Sequence, residues 1–283
     1  MFEVIVENKR GNKLSFVQNS NYAITNITGL GPPDAAINTV SVGSFDGERF
    51  NSSKVGMRNI VMTIAILGDI EANRIALYSI FKSKQWVRFH YKNGIRNVYI
   101  DGYVESAPID LFTQNQEIQI SILCPEPFFK NAEEIIDDMN LIISMFYFPF
   151  AIEETPGTPI SAYDTILEKL VLNEGEIQNG MIIELRATGE VINPKIFNRN
   201  TTDFFGLNIT MQKGDLITIS TVKGSKTVYL LRNAEEINIF NNIMKNITWL
   251  QLDPGDNIFT FEAEKGTEYL EVSFKHTDNF EGV

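Results

Sequence analysis

The sequence predicts a mainly β protein with two domains. Three observations support this prediction: hydrophobic residues recur with a period of two along much of the chain, a single segment has a clear helical pattern, and strands in the second half follow one another without alternating helices. The length of 283 residues also exceeds the usual size of one domain. With 43% hydrophobic and 21% charged residues, the composition is that of a folded globular protein.

Three consecutive segments in the first half show the clearest strand pattern. VRFHYK (87–92), VYIDGYVES (98–106) and EIQISILC (117–124) alternate hydrophobic and polar side chains, which places one row of side chains against a core. The Asn93-Gly94 pair predicts a hairpin turn between the first two segments. Earlier strands are expected at 2–7, 13–17, 21–28, 36–42 and 58–67. The first half is therefore predicted to be an antiparallel meander or a small barrel.

The segment IEANRIALYSIFKSK (70–84) predicts a helix of about four turns, because it contains neither Pro nor Gly. Asp69 is the expected N-cap, and Lys82 and Lys84 are expected in the last turn, where they complement the helix dipole. The hydrophobic stripe facing the sheet would comprise Ile70, Leu77, Ile80 and Phe81. Arg74 falls in this stripe. Either its stem packs at the edge with the guanidinium in water, or it forms an ion pair across a subunit contact.

Residues 125–160 have the composition of a domain junction, with acidic pairs, an apolar run and the sequence TPGTP. We therefore expect one domain at residues 1–132 and a second at 133–283. In the second domain, β-branched and aromatic residues predict strands at 215–221, 227–231, 257–264 and 269–275. Turn residues separate these strands, a pattern typical of a β-sandwich. A short helical turn is expected within 162–175.

The charge of the chain argues against two classes of partner. The formal net charge is −12 and the sequence pI is about 4.7, so the protein would repel nucleic acid backbones and anionic lipids. The longest apolar run, 141–152, is shorter than the ~20 residues of a spanning helix and contains Pro149. Residues 1–10 lack the pattern of a signal peptide. We expect a soluble protein that binds neither nucleic acid nor membrane.

The sequence offers no recognisable constellation for catalysis, metal binding or cofactor binding. The single cysteine excludes an intrachain disulfide, and two histidines beside it are too few for a Cys/His zinc framework. His90 is expected on the polar face of a strand, His276 at a strand end, and Cys124 on the core face as an inert thiol. DPGDN (253–257) has oxygen ligands but is interpreted as a turn rather than a calcium loop. Period and spacing therefore identify no active site, and we expect no cofactor and no metal site.

A polar insertion at residues 43–59 carries two isolated phenylalanines, Phe45 and Phe50. Two interpretations remain open from the residues alone. The insertion is a solvated hairpin loop, or it is an arm whose phenylalanines are buried against a neighbouring copy. In the second case, each fully buried Phe contributes about 1.5–3 kcal/mol at every interface of a closed ring.

Several long segments resemble the distal tail protein family of long-tailed bacteriophages and related prophages. They are YAITNITGLGPPDAAINTVSVGSFDGERFNSSKVGMRNIVMTIAILGDIEANRIALYSIF (22–81), WVRFHYKNGIRNVYIDGYVESAPIDLFTQNQEIQISILCPEPFF (86–129), GEVINPKIFNRNTTDFFGLNITMQKGDLITIST (189–221) and WLQLDPGDNIFTFEAEKG (249–266). The resemblance spans nearly the whole chain and does not depend on one short motif.

The resemblance implies a structural subunit rather than an enzyme. It implies an N-terminal split β-barrel with one helix and a belt loop, followed by a galectin-like β-sandwich. Members of this family assemble as a hexameric ring at the tail tip. By position, the oligomer interface would include Phe45, Asp46, Gly47, Phe50, Asn51 and Arg58. Arg74 lies on the helix that the family places beside the barrel.

The implied assembly is a homo-hexamer that joins the tail tube to the host-adhesion apparatus. Its partners would be the tail tube protein, a tail-associated fibre or lysin protein, and a receptor-binding protein. The implied location is the tail tip of the virion, after synthesis in the bacterial host cytoplasm.

Two further functions are weighed against this one. A module that binds cell-wall carbohydrate would place an aromatic platform beside polar groups, and Trp249 is the only tryptophan in the second half. Trp249 is more simply interpreted as a core or strand-end residue. A glycan hydrolase would need two carboxylates roughly 5–10 Å apart across a cleft, and the sequence does not select such a pair.

Overall fold

The structure, a computed structural model, describes residues 2–16, 21–43, 46–109, 116–144, 161–165 and 168–283, with backbone alone at 140–144 and 161–165. The chain separates into two compact units, one formed by Met1–Ala132 with Asn279–Val283 and the other by Glu133–Asp278. The last five residues therefore lie with the first unit, whereas the sequence assigned them to the second domain. The predicted mainly β class is confirmed. None of the described helices is long and apolar enough to cross a membrane.

The first unit is an antiparallel sheet with one helix. Its elements before residue 133 are β1 (Glu3–Asn8), β2 (Lys13–Ser15), β3 (Tyr22–Thr28), β4 (Ala35–Ser41), β5 (Glu48–Val55), β6 (Arg58–Ile66), α1 (Ile70–Ile80), β7 (Trp86–Lys92), β8 (Asn97–Ser106), β9 (Glu117–Cys124) and β10 (Phe129–Asn131). The main sheet has the strand order β2-β1-β7-β8-β9-β6-β3, and β10 pairs with β8. Strands β4 and β5 lie outside this sheet and pair with each other.

The period-two pattern produces the core of the first unit. Val87 and Phe89 are fully buried on β7, and the facing strands bury their own alternate residues. The hydrophobic side chains that form this core include Val4, Val6, Ile60, Met62, Ile64, Leu77, Val98, Ile100, Ile118, Ile120, Ile122 and Phe129. Burial of these side chains provides the main stabilising contribution, at about 25 cal/mol per Å² of apolar surface.

Helix α1 begins where the sequence predicts and ends earlier. The Asp69 carboxylate accepts a hydrogen bond from the Ala72 amide at 3.2 Å, so the predicted N-cap is confirmed. Leu77 and Ile80 are buried beneath the helix. The last helical residue is Ile80, and Lys84 has a φ of 65°, so the prediction of two lysines in the last turn is wrong. The chain leaves the helix there because the Lys84 amide donates to the Val104 carbonyl at 2.8 Å.

The second unit has two larger antiparallel sheets around one core, and its described strands also form two two-stranded sheets. Its strands are β11 (Ile135–Asp138), β12 (Asn140–Ser144), β13 (Ser161–Thr165), β14 (Glu168–Asn173), β15 (Ile182–Ala187), β16 (Val191–Ile192), β17 (Lys195–Asn198), β18 (Phe204–Gly206), β19 (Thr210–Met211), β20 (Leu216–Ser220), β21 (Thr227–Arg232), β22 (Glu235–Asn238), β23 (Gly255–Glu262) and β24 (Leu270–His276). The larger sheet has the order β11-β24-β15-β20-β21-β22, and the smaller has the order β14-β23-β17-β18.

The two sheets of the second unit share their buried faces. Phe259 on β23 and Phe274 on β24 are fully buried, with ring centroids 4.8 Å apart. This contact joins the smaller sheet to the larger one, as in a β-sandwich. The helical turn expected within 162–175 is not present in the described residues, since β13 and β14 occupy most of that range. Most of the apolar run at 141–152 lies outside the described residues.

A final strand, β25 (Asn279–Phe280), returns to the first unit and pairs with β10. The Val283 amide then donates a hydrogen bond to the Leu30 carbonyl at 3.1 Å. A Cβ on Gly282 would lie 3.1 Å from the Leu30 carbonyl oxygen, so the backbone passes close to the segment between β3 and β4. The first unit is therefore completed by residues from the far end of the sequence.

A buried ion pair stabilises the hairpin of β20 and β21. Asp215 is 2% exposed, and its carboxylate accepts hydrogen bonds from the Arg232 guanidinium and, at 2.7 Å, from the Gln212 amide. Burial alone would raise the pKa of Asp215, but the hydrogen bonds and the positive charge of Arg232 outweigh it, and the pKa is lowered. The ionised carboxylate therefore stabilises the folded state.

We expect Asp215→Asn to lower the free energy of unfolding of the second unit by about 2 kcal/mol at pH 7. Because the folded pKa lies below the unfolded value of about 3.9, the stabilisation is present above pH 4 and is lost as the pH falls through the folded pKa. Urea unfolding between pH 3 and pH 7 should show the two proteins converging in acid. Asp256→Asn, at an exposed position, serves as the control. A difference that stays constant with pH would contradict this prediction.

Candidate functional site

The most unusual feature of the first unit is the hairpin of β4 and β5, here called the projecting hairpin (residues 35–55). Every residue of β4 is exposed, as is every residue of β5 except Val55. The sequence predicted β4 but treated residues 43–59 as a loop, so β5 is a correction. Its NSSK stretch has few of the β-branched and aromatic residues that identify strands. Cross-strand hydrogen bonds form it instead.

A β-bulge gives the projecting hairpin two different faces. Asn38 pairs with Ser52, whereas Thr39 pairs with Phe50, so Asn51 is the extra residue. With this register, one face carries Ala35, Ile37, Thr39, Ser41, Glu48, Phe50, Ser53 and Val55, and the other carries Ala36, Asn38, Val40, Arg49, Ser52 and Lys54. The first face, here called the apolar face, carries the two largest apolar side chains, Ile37 and Phe50, whereas the second carries both basic residues.

The apolar face has no cover within the described part of the chain. Ile37 is 64% exposed and Phe50 is 60% exposed. A two-stranded hairpin is at best marginally stable in water when it packs against nothing. Exposed apolar side chains gathered on one face are typical of a surface that binds another protein. The projecting hairpin is therefore a candidate interaction site.

Several predicted interface residues lie at the tip and bulge of the projecting hairpin. Asp46 and Gly47 are exposed beside the start of β5, and Gly47 has a φ of 95°, a conformation that favours glycine. Asn51 occupies the bulge. Phe45 lies outside the described residues. The Glu48 carboxylate accepts a hydrogen bond from the Thr39 hydroxyl on the apolar face.

Arg58, which was predicted at the oligomer interface, is buried within the first unit. It is 3% exposed, and its guanidinium donates to four backbone carbonyls of its own chain at 2.5–2.6 Å. The acceptors are Gly29, Gly31, Pro127 and Glu281. The guanidinium carbon also lies 4.7 Å from the centroid of the Phe129 ring. Burial lowers the pKa of Arg58. The side chain holds segments of the first unit together, and its place in an oligomer interface stays a prediction.

Arg74 makes contacts within its own helix. Its guanidinium pairs with the Glu71 carboxylate and donates to the Tyr78 hydroxyl at 3.3 Å. The hydrogen bond to Glu71 is the main cause of a raised pKa for Arg74. These contacts agree with packing at the edge of the helix, while the role in a subunit contact stays a prediction.

Trp249 is partly buried within an aromatic cluster of the second unit. Its ring centroid lies 5.1 Å from that of Phe205 and 5.8 Å from that of Phe240, which is stacked on it. The Lys226 ammonium lies 5.1 Å from the same ring. A sugar platform needs an open aromatic face, and these neighbours occupy positions that a sugar ring would need. Trp249 is therefore best described as a packing residue at the edge of the core.

The groups considered for catalysis do not converge. His90 lies 3.5 Å from Glu7, and burial lowers its pKa. His276 is buried, with Asp278 at 3.3 Å. Cys124 is fully buried, and loss of solvation raises its pKa to about 12, so the predicted inert thiol is confirmed. No group of three or more potential metal-ligating side chains occurs among residues the structure describes.

Comparisons with known proteins indicate one family. Residues 9–124 match the model of the phage tail protein RIFT-related domain, and residues 174–277 match the model of the siphovirus-type tail component, C-terminal domain. Searching the curated proteins gave no match.

Solved structures of phage proteins share the fold over nearly the full chain. The Dit protein of phage SPP1, described as a paradigm of the hub adsorption apparatus in phages that infect Gram-positive bacteria, has a TM-score of 0.69 at 11% identity, with 99% of each chain covered. Chains of the phage P2 baseplate in its activated conformation have TM-scores of 0.52 with Ca and 0.51 with Sr, at 12% and 10% identity. The matches cover 100% and 98% of both chains, respectively.

We expect Arg58→Met to destabilise the first unit by about 3 kcal/mol, because four buried carbonyls lose a charged donor. Arg58→Lys should recover part of this loss, since an ammonium can donate to some of the four. Urea unfolding in a Trp249→Phe background, followed by the fluorescence of Trp86, would measure both variants, since Trp249 of the second unit also fluoresces. Equal stability of Arg58→Met and the unmodified protein would show that the four carbonyls do not depend on this cation.

Proposed function

Because this chain belongs to the distal tail protein family of long-tailed bacteriophages, we propose that it is the structural hub of a phage tail tip. Two tail-protein family models match most of the chain, and the SPP1 and P2 structures share its fold. Those proteins are phage tail and baseplate components. We accordingly propose a mechanical role without enzymatic activity, in the virion rather than in the host cytoplasm where the chain is made.

The exposed apolar face of the projecting hairpin supports the proposal that several copies assemble. Burying Phe50 and Ile37 against a second copy would contribute about 1.5–3 kcal/mol for each side chain. We propose that the hairpin's target on the second copy is a different surface, because a contact of hairpin with hairpin would be isologous and would close at two copies. Such head-to-tail contacts close into rings when the rotation between copies allows it. We propose a ring of six copies.

In this proposal the two units have different tasks. The first unit, which bears the hairpin, forms the ring beneath the tail tube protein. The second unit, which we propose to be a galectin-like sandwich, faces the adhesion device, where a fibre or lysin protein and a receptor-binding protein attach. Six identical copies would present each partner with six equivalent contacts, and multivalent binding strengthens weak individual contacts. A carbohydrate-binding role is not added, because Phe240 and Lys226 already pack against the Trp249 ring that a sugar platform would use.

We expect Phe50→Ser to weaken assembly about tenfold, because each interface loses the burial of one phenylalanine. Sedimentation velocity over a range of concentrations would measure the shift, and electron microscopy would show whether the assembled particles are six-membered rings. The matched control is Val40→Ser, at a residue that is 53% exposed on the opposite face. The proposal fails if the unmodified protein stays monomeric at high concentration, or if the two variants weaken assembly equally.

A further inference from the structure

An aromatic groove lies on the outer surface of the first unit. Trp86 on β7 and Tyr103 on β8 are cross-strand neighbours, and Tyr103 is 49% exposed. They line a hollow of about 490 Å³ together with Lys9, Lys84 and Gln85. We call these five residues the Trp86–Tyr103 groove. A second hollow of about 250 Å³ shares Trp86 and Tyr103, so the two rings border open space on more than one side. Trp86 is partly buried, and the Arg88 guanidinium carbon lies 5.5 Å from its ring centroid. Trp, Tyr and Arg side chains beside hollows are typical of the centre of a protein interface.

The groove is basic in a chain that is strongly acidic overall. Lys9 and Lys84 line the first hollow, and an adjoining hollow of about 190 Å³ adds Arg10 and Lys82. Among the described residues, no acidic side chain lines these two hollows. The hollow of about 250 Å³ does carry Asp101 and Glu126, and these two carboxylates are paired with Arg88 and Lys130. The first unit holds 13 Lys+Arg and 13 Asp+Glu, for a net charge of zero, whereas the second holds 11 and 23, for −12. A partner that carries acidic and apolar groups on one surface would complement this groove.

The backbone fixes the position of the groove. Lys84 has a φ of 65°, and hydrogen bonds with Val104 hold the chain on both sides of it: the Lys84 amide donates to the Val104 carbonyl, and the Val104 amide donates to the Gln85 carbonyl at 3.0 Å. The backbone at Lys84 is therefore held in place, and its side chain leaves the groove wall from a fixed Cα position. A preformed surface loses little entropy when it binds a partner.

The apolar face of the projecting hairpin complements both the aromatic rings and the positive charge of the groove. It carries Phe50 and Ile37 for contact with Trp86 and Tyr103. It also carries Glu48, which can face the lysines of the groove. The basic residues of the hairpin, Arg49 and Lys54, point to the opposite face. Because every described residue of the two strands except Val55 is exposed, these strands do not occupy the groove of their own chain.

The projecting hairpin and the groove belong to different parts of the first unit, so a contact between them on two copies runs head to tail. The projecting hairpin connects β3 and β6 at one end of the strand order, whereas the groove is built by the turn after β1 and by β7 and β8 nearer the other end. A hairpin of one copy on the groove of the next is therefore a heterologous contact, and each copy both gives a hairpin and receives one.

We infer that the Trp86–Tyr103 groove is the surface on which the projecting hairpin of an adjacent copy docks, with Phe50 and Ile37 against the two aromatic rings and Glu48 beside Lys84. This inference rests on the proposed ring and names its receiving surface. A ring could form through another receiving surface, so the two statements can fail separately.

Site-directed cross-linking tests the contact directly. Ser53 lies on the apolar face and Ser52 on the polar face, and both are exposed, so Ser53→Cys and Ser52→Cys are a matched pair of nearly isosteric changes. Each is combined with Gln85→Cys in the groove and treated with a short bis-maleimide. The native Cys124 is buried with a raised pKa and will not interfere. We expect a ladder of covalent oligomers from Ser53→Cys with Gln85→Cys, and little product from Ser52→Cys with Gln85→Cys or from any single variant.

Charge reversal provides a second measurement that does not depend on cross-linker geometry. Lys84→Glu should weaken assembly about fivefold, and adding Glu48→Lys should restore most of the loss. If rings form but the ladder is absent, or is equal for Ser52→Cys and Ser53→Cys, the inference is overturned and the proposed ring stands. If the unmodified protein forms no ring, both are overturned.

Discussion

The projecting hairpin can extend into solvent because Arg58 fixes its base. Gly29 and Gly31 precede β4, Arg58 opens β6 directly after the hairpin, and the Arg58 guanidinium donates to both glycine carbonyls. The same cation binds carbonyls before β10 and after β25. A single buried charge thus joins four segments, and their carbonyl dipoles replace the water that a guanidinium would otherwise hold. Arg58 thus joins the segments before and after the hairpin, and the strands between them remain exposed.

The periodic parts of the fold could be predicted from sequence, and the reasons are local. Alternation identified the strands around Val87, Phe89 and Ile120, and an acidic residue before an uninterrupted helical pattern identified Asp69 as an N-cap. The end of α1 was not predicted, because it depends on hydrogen bonds to Val104 on a distant strand. In α1, the local sequence pattern indicates the first residue, whereas the last residue depends on tertiary contacts that the pattern does not contain.

The interaction site was predicted only in part. Isolated phenylalanines in a polar stretch pointed to Phe50, but Ile37 was not recognised, because the bulge at Asn51 shifts the register between the two strands. An inserted residue in one strand reverses the alternation of side chains between the two faces, so the shared face cannot be predicted from period two alone. The role of Arg58 was assigned by position in the family and not by physics, since its four acceptors lie up to 223 positions away in sequence. The lysines of the groove likewise come from the β1–β2 turn and from the segment after α1, and only the folded chain brings them together.

Because β25 pairs with β10, the first unit is formed by two separate stretches of the sequence. A fragment that stops at Ala132 would lack the strand paired with β10 and the Glu281 carbonyl that accepts from Arg58. A tag fused after Val283 would emerge beside Leu30, close to the root of the hairpin. An engineered version of the first unit therefore has to carry residues 279–283 through a linker from Ala132.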